Sequence, residues 1–580
     1  MIATLPLALG LLAPPPIAAG PGTEAPGQIE VPIESVHRGE DDLLSAGLGL
    51  AGLRGSLPPL ADPAAPRFAE LRRRALWTNW RGIADVSPGG GLGEIYGSLA
   101  PVPGREFHAA ARVPGARHPH RLLLQLPDAF DRERPCLVVT AASGSRGVYG
   151  AIALAGGWGL PRGCAVAYTD KGAGTDWRRL GDEDGTVFVP HAHSGDHPEA
   201  DWGRHVLQAA AFGQAVLQRE TGITPERLTV IAVGLSNGAG AVLRAAGDEA
   251  AGGHGIEGAP SLDGVVAISP NVYVEGARPL FDIATQAALL MPCALAAPAF
   301  DGDPLLRPGG LRPAAHAEAC ATLAALGELG GADTEAQATL AWRALAASGW
   351  TEAALRAGSL SVGFDLWRAV AAGYASAYTR SPAEAMPAGY RYAVRDAGGA
   401  APAPHPAEAA LWWSDASGIP PGNGVALLDP PGEDGRRRGL LALLALARTD
   451  AGVREAITAT RALPPRPELP VLLLHGLDDG LVPEWSSSAA YAAHARRHGA
   501  RLGYWRLRHA QHFDAFLGQP ALAARYLPLL PYAHAALDAL WAHLHEGAPL
   551  PQDREIRPTP RAATADGVAP LRREDLGLGE

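Results

Sequence analysis

The sequence predicts an α/β fold, in which a mostly parallel sheet carries helices on both faces and a large, mainly helical insertion interrupts it late. Three observations carry this expectation. Short runs rich in β-branched and aliphatic residues alternate with helical stretches from about residue 121 onward. The alternation stops after Ile268 and resumes only near Pro470. One of the apolar runs leads straight into a Gly-x-Ser-x-Gly turn and then into helix-compatible sequence. Alternating strands and helices build a parallel sheet because each crossover must pack its helix back onto a face.

The strand-like runs are residues 122–126 (LLLQL), 136–141 (CLVVTA), 165–169 (AVAYT), 228–233 (LTVIAV), 265–269 (VVAIS), 470–474 (PVLLL) and 502–507 (LGYWRL). Most are apolar without alternation, which is the pattern of a strand covered on both faces. Between them, stretches such as 201–220 (DWGRHVLQAAAFGQAVLQRE) carry helical periodicity. The interrupting segment, 271–465, is dominated by Ala-rich helical sequence, as at 314–329 and 336–357, followed by loops holding Tyr390, Tyr392, Trp412 and Trp413. An insertion of this size reads as a cap over the active site, with an independent helical domain as the alternative. The chain then divides into a leader (1–20), an N-terminal extension (21–120), a first core part (121–270), the cap (271–465), a second core part (466–550) and a flexible tail (551–580).

The 580 residues carry 47% apolar and 19% charged side chains with a net charge of −11. No basic cluster accompanies that charge, which excludes a nucleic-acid partner held through phosphate contacts and favours a small, neutral substrate or short oligoester. Four scattered cysteines, Cys136, Cys164, Cys293 and Cys320, contain no CxxC pair for zinc, and the sequence neither demands nor forbids their pairing. Residues 1–19 resemble a secretory leader without its basic start, so export to the periplasm or beyond is expected, with a cytoplasmic location as the alternative. No other apolar run reaches the roughly 18 residues that span a bilayer.

The chemical signal lies at 228–240, LTVIAVGLSNGAG, where Ser236 sits between Gly234 and Gly238. A serine on a strained strand-to-helix turn, with no room for larger neighbours at the glycines, is the nucleophile elbow of the α/β-hydrolase fold. A serine hydroxyl needs a base and a group to orient that base, and in this fold they follow in the order acid, then His. After strand 470–474 comes HGLDDGLVP, in which Asp479 takes the acid position by spacing, with Asp478 the competitor and His475 part of the turn. After strand 502–507, RHAQHFD offers His512 as the base, with His509 as a loop residue. An oxyanion needs about two preorganised N–H donors. Asn237 supplies one, and the turn after strand 136–141, with Ser143 and Gly144, supplies the other. No metal and no organic cofactor is implied.

Several segments together resemble one family, the D-(−)-3-hydroxybutyrate oligomer hydrolases. They are DDLLSAGLG (41–49), Asn79, Trp80 and Arg81 with GLGEIYG (91–97), SGSRGVYGAI (143–152), YTDKGAG (168–174), SNGAG (236–240) and AQHFDAFL (510–517). The resemblance implies ester hydrolysis of short 3-hydroxybutyrate oligomers to monomers, with Ser236 attacking, His512 accepting its proton and Asp479 steadying the imidazolium. It also draws attention to Lys171, the sole lysine of the chain. A compact ammonium kept where every other cation is arginine suggests a substrate-carboxylate ligand or a structural partner for Asp170 or Asp176. A general carboxylesterase or feruloyl-type esterase uses the same triad. A reading of another class is a catalytically silent binding protein that presents the aromatic residues of the insertion.

Overall fold

The computed structural model describes residues 29–63, 65–172, 195–252, 256–394, 425–564 and 567–579. The leader, Asp176, Trp412 and Trp413 lie outside the described residues.

The strands are β1 (Ile33–His37), β2 (Gly104–Ala111), β3 (His120–Pro127), β4 (Cys136–Ala141), β5 (Ala165–Thr169), β6 (Thr229–Leu235), β7 (Gly264–Ile268), β8 (Arg391–Val394), β9 (Val425–Leu428), β10 (Val471–Gly476), β11 (Leu502–Leu507) and β12 (Arg554–Ile556). Ten of them form one sheet in the order β1-β2-β3-β5-β4-β6-β7-β10-β11-β12. β1, β2, β3 and β5 pair antiparallel in succession, and every pair from β5 to β12 is parallel. All seven sequence-predicted strands are present. With helices on both faces and a nucleophile turn after β6, this is the α/β-hydrolase fold.

The period-two alternation of side chains divides the buried strands between two cores. Val138, Val166, Ile231, Ile268 and Leu474 face Trp80 and the helix Leu530–Glu546, whereas Val139, Ala167, Ala232, Ala267 and Leu473 face the helices Trp202–Thr221 and Asn237–Ala250. Neither face meets water, which is why these strands read as unbroken apolar runs.

The described part of the insertion is mainly helical, from Leu280–Ala294 through Leu366–Thr379 to Ala451–Ala459, and it also holds an antiparallel pair, β8 with β9. Tyr390 and Tyr392 are buried in its own core. They therefore pack the cap and present no binding surface.

Two boundaries drawn from the sequence are corrected. The N-terminal extension, 21–120, is part of the sheet through β1 and β2. Its strands were hidden because β1 is largely solvent-facing and β2 is built on Ala, Gly and charged residues. Inside it, buried Glu106 accepts Arg72 Nε and Nη2 at 2.9 Å each, Tyr149 Oη at 2.6 Å and Gln125 Nε2 at 2.8 Å. A buried carboxylate satisfied on this scale ties the extension to β3 and to the loop after β4. The second correction concerns the tail, 551–580, which is not a loose end. β12 adds to the sheet edge through Trp505↔Arg554 and Leu507↔Ile556, and Leu571 and Leu576 are buried. Its anchors are single apolar residues in polar sequence, too sparse to show a period.

Both cysteine pairs form disulfides. Cys136–Cys164 joins the start of β4 to the residue before β5, and Cys293–Cys320 joins two cap helices. Removing the first, as Cys136→Ala with Cys164→Ala, should lower unfolding stability by about 2–4 kcal/mol, read as a shifted urea midpoint at unchanged slope.

Candidate active site

Ser236 occupies the turn between β6 and the helix Asn237–Ala250 with φ 57° and ψ −120°. That conformation is costly for a residue with a side chain. The neighbours show what enforces it. A Cβ at Gly234 would lie 2.3 Å from the Gly238 backbone, and one at Gly238 would lie 2.3 Å from the Ala141 carbonyl oxygen. Ser236 N–H donates to the Ile268 carbonyl at 2.9 Å, and its own carbonyl accepts Gly240 and Asn271 N–H at 3.0 Å each. The hydroxyl is thereby carried above the carboxyl ends of the parallel strands.

The loops after β10 and β11 bring the partners to it. Ser236 Oγ lies 2.9 Å from His512 Nε2, and His512 Nδ1 lies 2.6 Å from Asp479 Oδ2. The other Asp479 oxygen accepts the N–H groups of Leu481 at 2.8 Å and Val482 at 2.7 Å. Burial raises the cost of charging Asp479, but the imidazole of His512, its hydrogen bond, His475 and the Leu481 N–H outweigh that cost and hold the carboxyl below its usual range. An ionised Asp479 keeps the proton on Nδ1, which leaves Nε2 free to accept from the serine.

The competitors are placed elsewhere. Asp478 turns to the backbone of His509, and burial raises its pKa. His509 takes a positive φ of 55° and uses its carbonyl to receive Leu527 N–H. His475, expected in the turn, is buried at the end of β10, accepting from Ser488 Oγ at 2.6 Å and donating to the Val482 carbonyl at 2.9 Å. Asp514, just past His512, accepts Leu529 and Leu530 N–H at 2.8 and 3.0 Å and so fixes the histidine loop to the helix Leu530–Glu546. Burial pushes its carboxyl up to about 7.

Asn237 begins the helix after the nucleophile, and the turn bearing Ser143 and Gly144 faces the same cavity. Ser143 N–H is committed to the Gly150 carbonyl at 3.4 Å. Among the described residues Gly144 N–H has no backbone acceptor, so Gly144 is the better placed of the two to act as a donor beside Asn237.

The structure revises the reading of Lys171. It is buried, it is not among the residues lining the cavity, and Nζ donates to the Gly144 carbonyl at 2.6 Å while facing the Trp202 ring at 5.5 Å. Asp170 spends an oxygen on the N–H groups of Arg121 and Gly172, and among the described residues Lys171 makes no direct ion pair. Its ammonium thus holds the turn at Ser143 and Gly144 from behind. Burial pulls its pKa down to about 7 against Asp170 and Glu199.

The cavity above Ser236 has a volume of about 460 Å³ and is walled by the helix Phe68–Ile83, the oxyanion turn, the loop after β10 and the cap helix Leu366–Thr379. The insertion is therefore in contact with the site. Sequence reading missed Glu199, Asn271 and Tyr374, which lie in or beside this cavity. Tyr374 and Tyr378 form an i,i+4 pair on an Ala-rich helix, a signal that could have marked that face. Glu199 and Asn271 carried none. Among the described residues no cluster of three or more His, Cys, Asp or Glu could hold a metal ion, and no helix is long and apolar enough to cross a membrane.

Two outcomes follow for variants. Asp479→Asn should lower kcat by about 10⁴ through the wrong histidine tautomer, with Asp478→Asn costing far less, both measured on an aryl ester. Lys171→Arg replaces a point ammonium with a larger fork, shifts Gly144, and should reduce kcat about 10- to 100-fold with a smaller change in KM. Unchanged turnover in steady-state kinetics would show that the turn does not depend on the ammonium.

Comparison with known proteins gives the family. A family model described as 3HB-oligomer hydrolase matches residues 23–189, 183–466 and 437–576. The D-(-)-3-hydroxybutyrate oligomer hydrolases of Burkholderia pseudomallei (strain 1106a) and Burkholderia mallei (strain ATCC 23344) are each 35% identical over 622 residues, covering 91% of this chain and 88% of the relative. Among solved structures, the rice cell wall degrading esterase LipA from Xanthomonas oryzae aligns with a TM-score of 0.40 at 12% identity over 77% of this chain and 92% of its own. Feruloyl esterase B from Aspergillus oryzae aligns with a TM-score of 0.37 at 11% identity, over 82% and 85%. With a family model and relatives that both span most of its length, the chain belongs to the 3HB-oligomer hydrolase family.

Proposed function

We propose that this protein is a serine esterase that hydrolyses short oligomers of D-3-hydroxybutyrate to monomers, in the degradation of poly(3-hydroxybutyrate). The observation that carries the reading is the hydrogen-bonded line from Ser236 through His512 to Asp479 at the floor of the cavity, in a chain of this family. His512 Nε2 takes the serine proton as Oγ attacks the ester carbonyl, and Asn237 and Gly144 N–H groups receive the developing oxyanion. His512 then returns the proton to the leaving alkoxide, and water cleaves the hydroxybutyryl-enzyme by the same route. Leu280, Val370, Leu481 and Phe516 give the cavity apolar walls suited to the methyl-bearing repeat. No organic cofactor or metal enters this chemistry.

Export from the cytoplasm belongs to the same proposal. Two disulfides support it, since such bonds persist mainly in oxidising compartments.

A fluorophosphonate should label the wild type and fail to label Ser236→Ala. A defined trimer of D-3-hydroxybutyrate should be converted to monomer by the wild type alone. Labelling without trimer hydrolysis would favour a general or feruloyl-type esterase, and no labelling of the folded wild type would leave a binding protein.

A further inference from the structure

One wall of the cavity carries a run of polar groups that the hydrolytic step does not use. It begins beside the nucleophile, where Asn271 Nδ2 donates to Asn237 Oδ1 at 3.0 Å and to Tyr374 Oη at 2.6 Å. Tyr374 stacks on Tyr378 with ring centres 5.7 Å apart and an interplanar angle of 22°, and Tyr378 Oη donates to Glu199 Oε2 at 2.9 Å. Tyr374 and Glu199 both line the cavity.

Two valences are left over. Tyr374 Oη already accepts from Asn271, so its own proton has no acceptor among the described residues. Glu199 Oε1 likewise has no hydrogen-bond partner among them. Both residues are half-buried on one wall of the cavity, so a ligand group that accepts and donates can take up the two open valences in place of water. Of the groups on a hydroxyacid oligomer, only the terminal hydroxyl both accepts and donates. The terminal carboxylate can only accept, and it would face the carboxyl group of Glu199.

We propose that Tyr374 and Glu199 form a subsite for the free hydroxyl end of the substrate, so that the chain enters with that end in its acyl half and its carboxylate end in the leaving half. The proposal rests on the esterase reading above and adds a direction to it. Burial holds the Tyr378 hydroxyl protonated, well above its ordinary pKa, which keeps it a donor to Glu199 and keeps Oε1 oriented.

The test compares two trimers of D-3-hydroxybutyrate, one with a free hydroxyl end and one with that hydroxyl converted to its methyl ether. The wild type should prefer the free trimer by at least about tenfold in kcat/KM, the factor expected from one lost hydrogen bond in a closed site. Tyr374→Phe and Glu199→Leu should each bring that ratio toward one, and the double variant should do no more than either, because both groups hold one hydroxyl. The ratio is internal, so a general loss of folded protein does not mimic the result. If Glu199→Leu fails to fold, Tyr374→Phe, which removes a single oxygen, still decides. Equal hydrolysis of both trimers by the wild type, or variants that slow both alike, would overturn the subsite alone. Hydrolysis of neither trimer by an enzyme active on aryl esters would overturn the substrate reading and the subsite with it.

Discussion

The close approach of backbone to backbone around Ser236 is the constraint from which the rest of the site follows. A positive φ at a serine costs on the order of 1–3 kcal/mol and survives only where its surroundings leave no alternative. Here Gly238 lies so close to the Ala141 carbonyl that a Cβ would fall 2.3 Å from it, and Gly240 approaches the Asn271 carbonyl within 1.9 Å of such an atom. The same contacts that force the turn therefore also fix its neighbours. Ala141 ends β4, so the oxyanion turn at Ser143 and Gly144 is seated against the helix that Asn237 begins. Asn271, pressed against Gly240, brings its amide to Asn237 and Tyr374. Ser236, the turn at Ser143 and Gly144, and one wall of the cavity are set by a single packing event.

The base and acid arrive by a second route, through strand register. β10 and β11 pair parallel as far as Gly476↔Leu507, so their loops leave the sheet at the same level. Gly476 lets the β11 loop pass, since a Cβ there would lie 2.4 Å from the Ala510 carbonyl oxygen. The carboxyl ends of parallel strands form the edge where a ligand crevice opens. Along that edge, β6 supplies Ser236, β10 supplies Asp479 and β11 supplies His512. The edge would be exposed beyond β11 without β12, which explains why a polar tail is folded back onto it.

What the sequence made legible was what leaves a local pattern. Seven strands showed as apolar runs, and Ser236, Asp479 and His512 showed because each sits at a fixed offset from the end of one of them. The groups it hid act through contacts between segments distant in the chain. Glu106 carries no local sign of its partners, since Arg72 lies 34 residues away and Tyr149 lies 43 away. Lys171 stood out by composition, but its acceptor is a backbone carbonyl, which no residue pattern can announce. The disulfides were undecided for the same reason. Cys136 and Cys164 become neighbours only because β4 and β5 lie side by side in the sheet.

The relation of the cap to the nucleophile turns on Arg244. This buried side chain belongs to the helix that starts at Ser236, and it donates to the carbonyls of Glu199, Ala200 and Ala459. Ala459 ends the last cap helix, and Glu199 lines the cavity. A guanidinium out of water is tolerated where its terminal nitrogens are satisfied and acidic groups stand near it, as Asp248, Glu199 and Asp201 do. Displacing the cap from the core would break the bond to Ala459, a cost added to that of parting apolar surfaces. The cap is therefore held to the nucleophile helix by a polar tie that opposes separation.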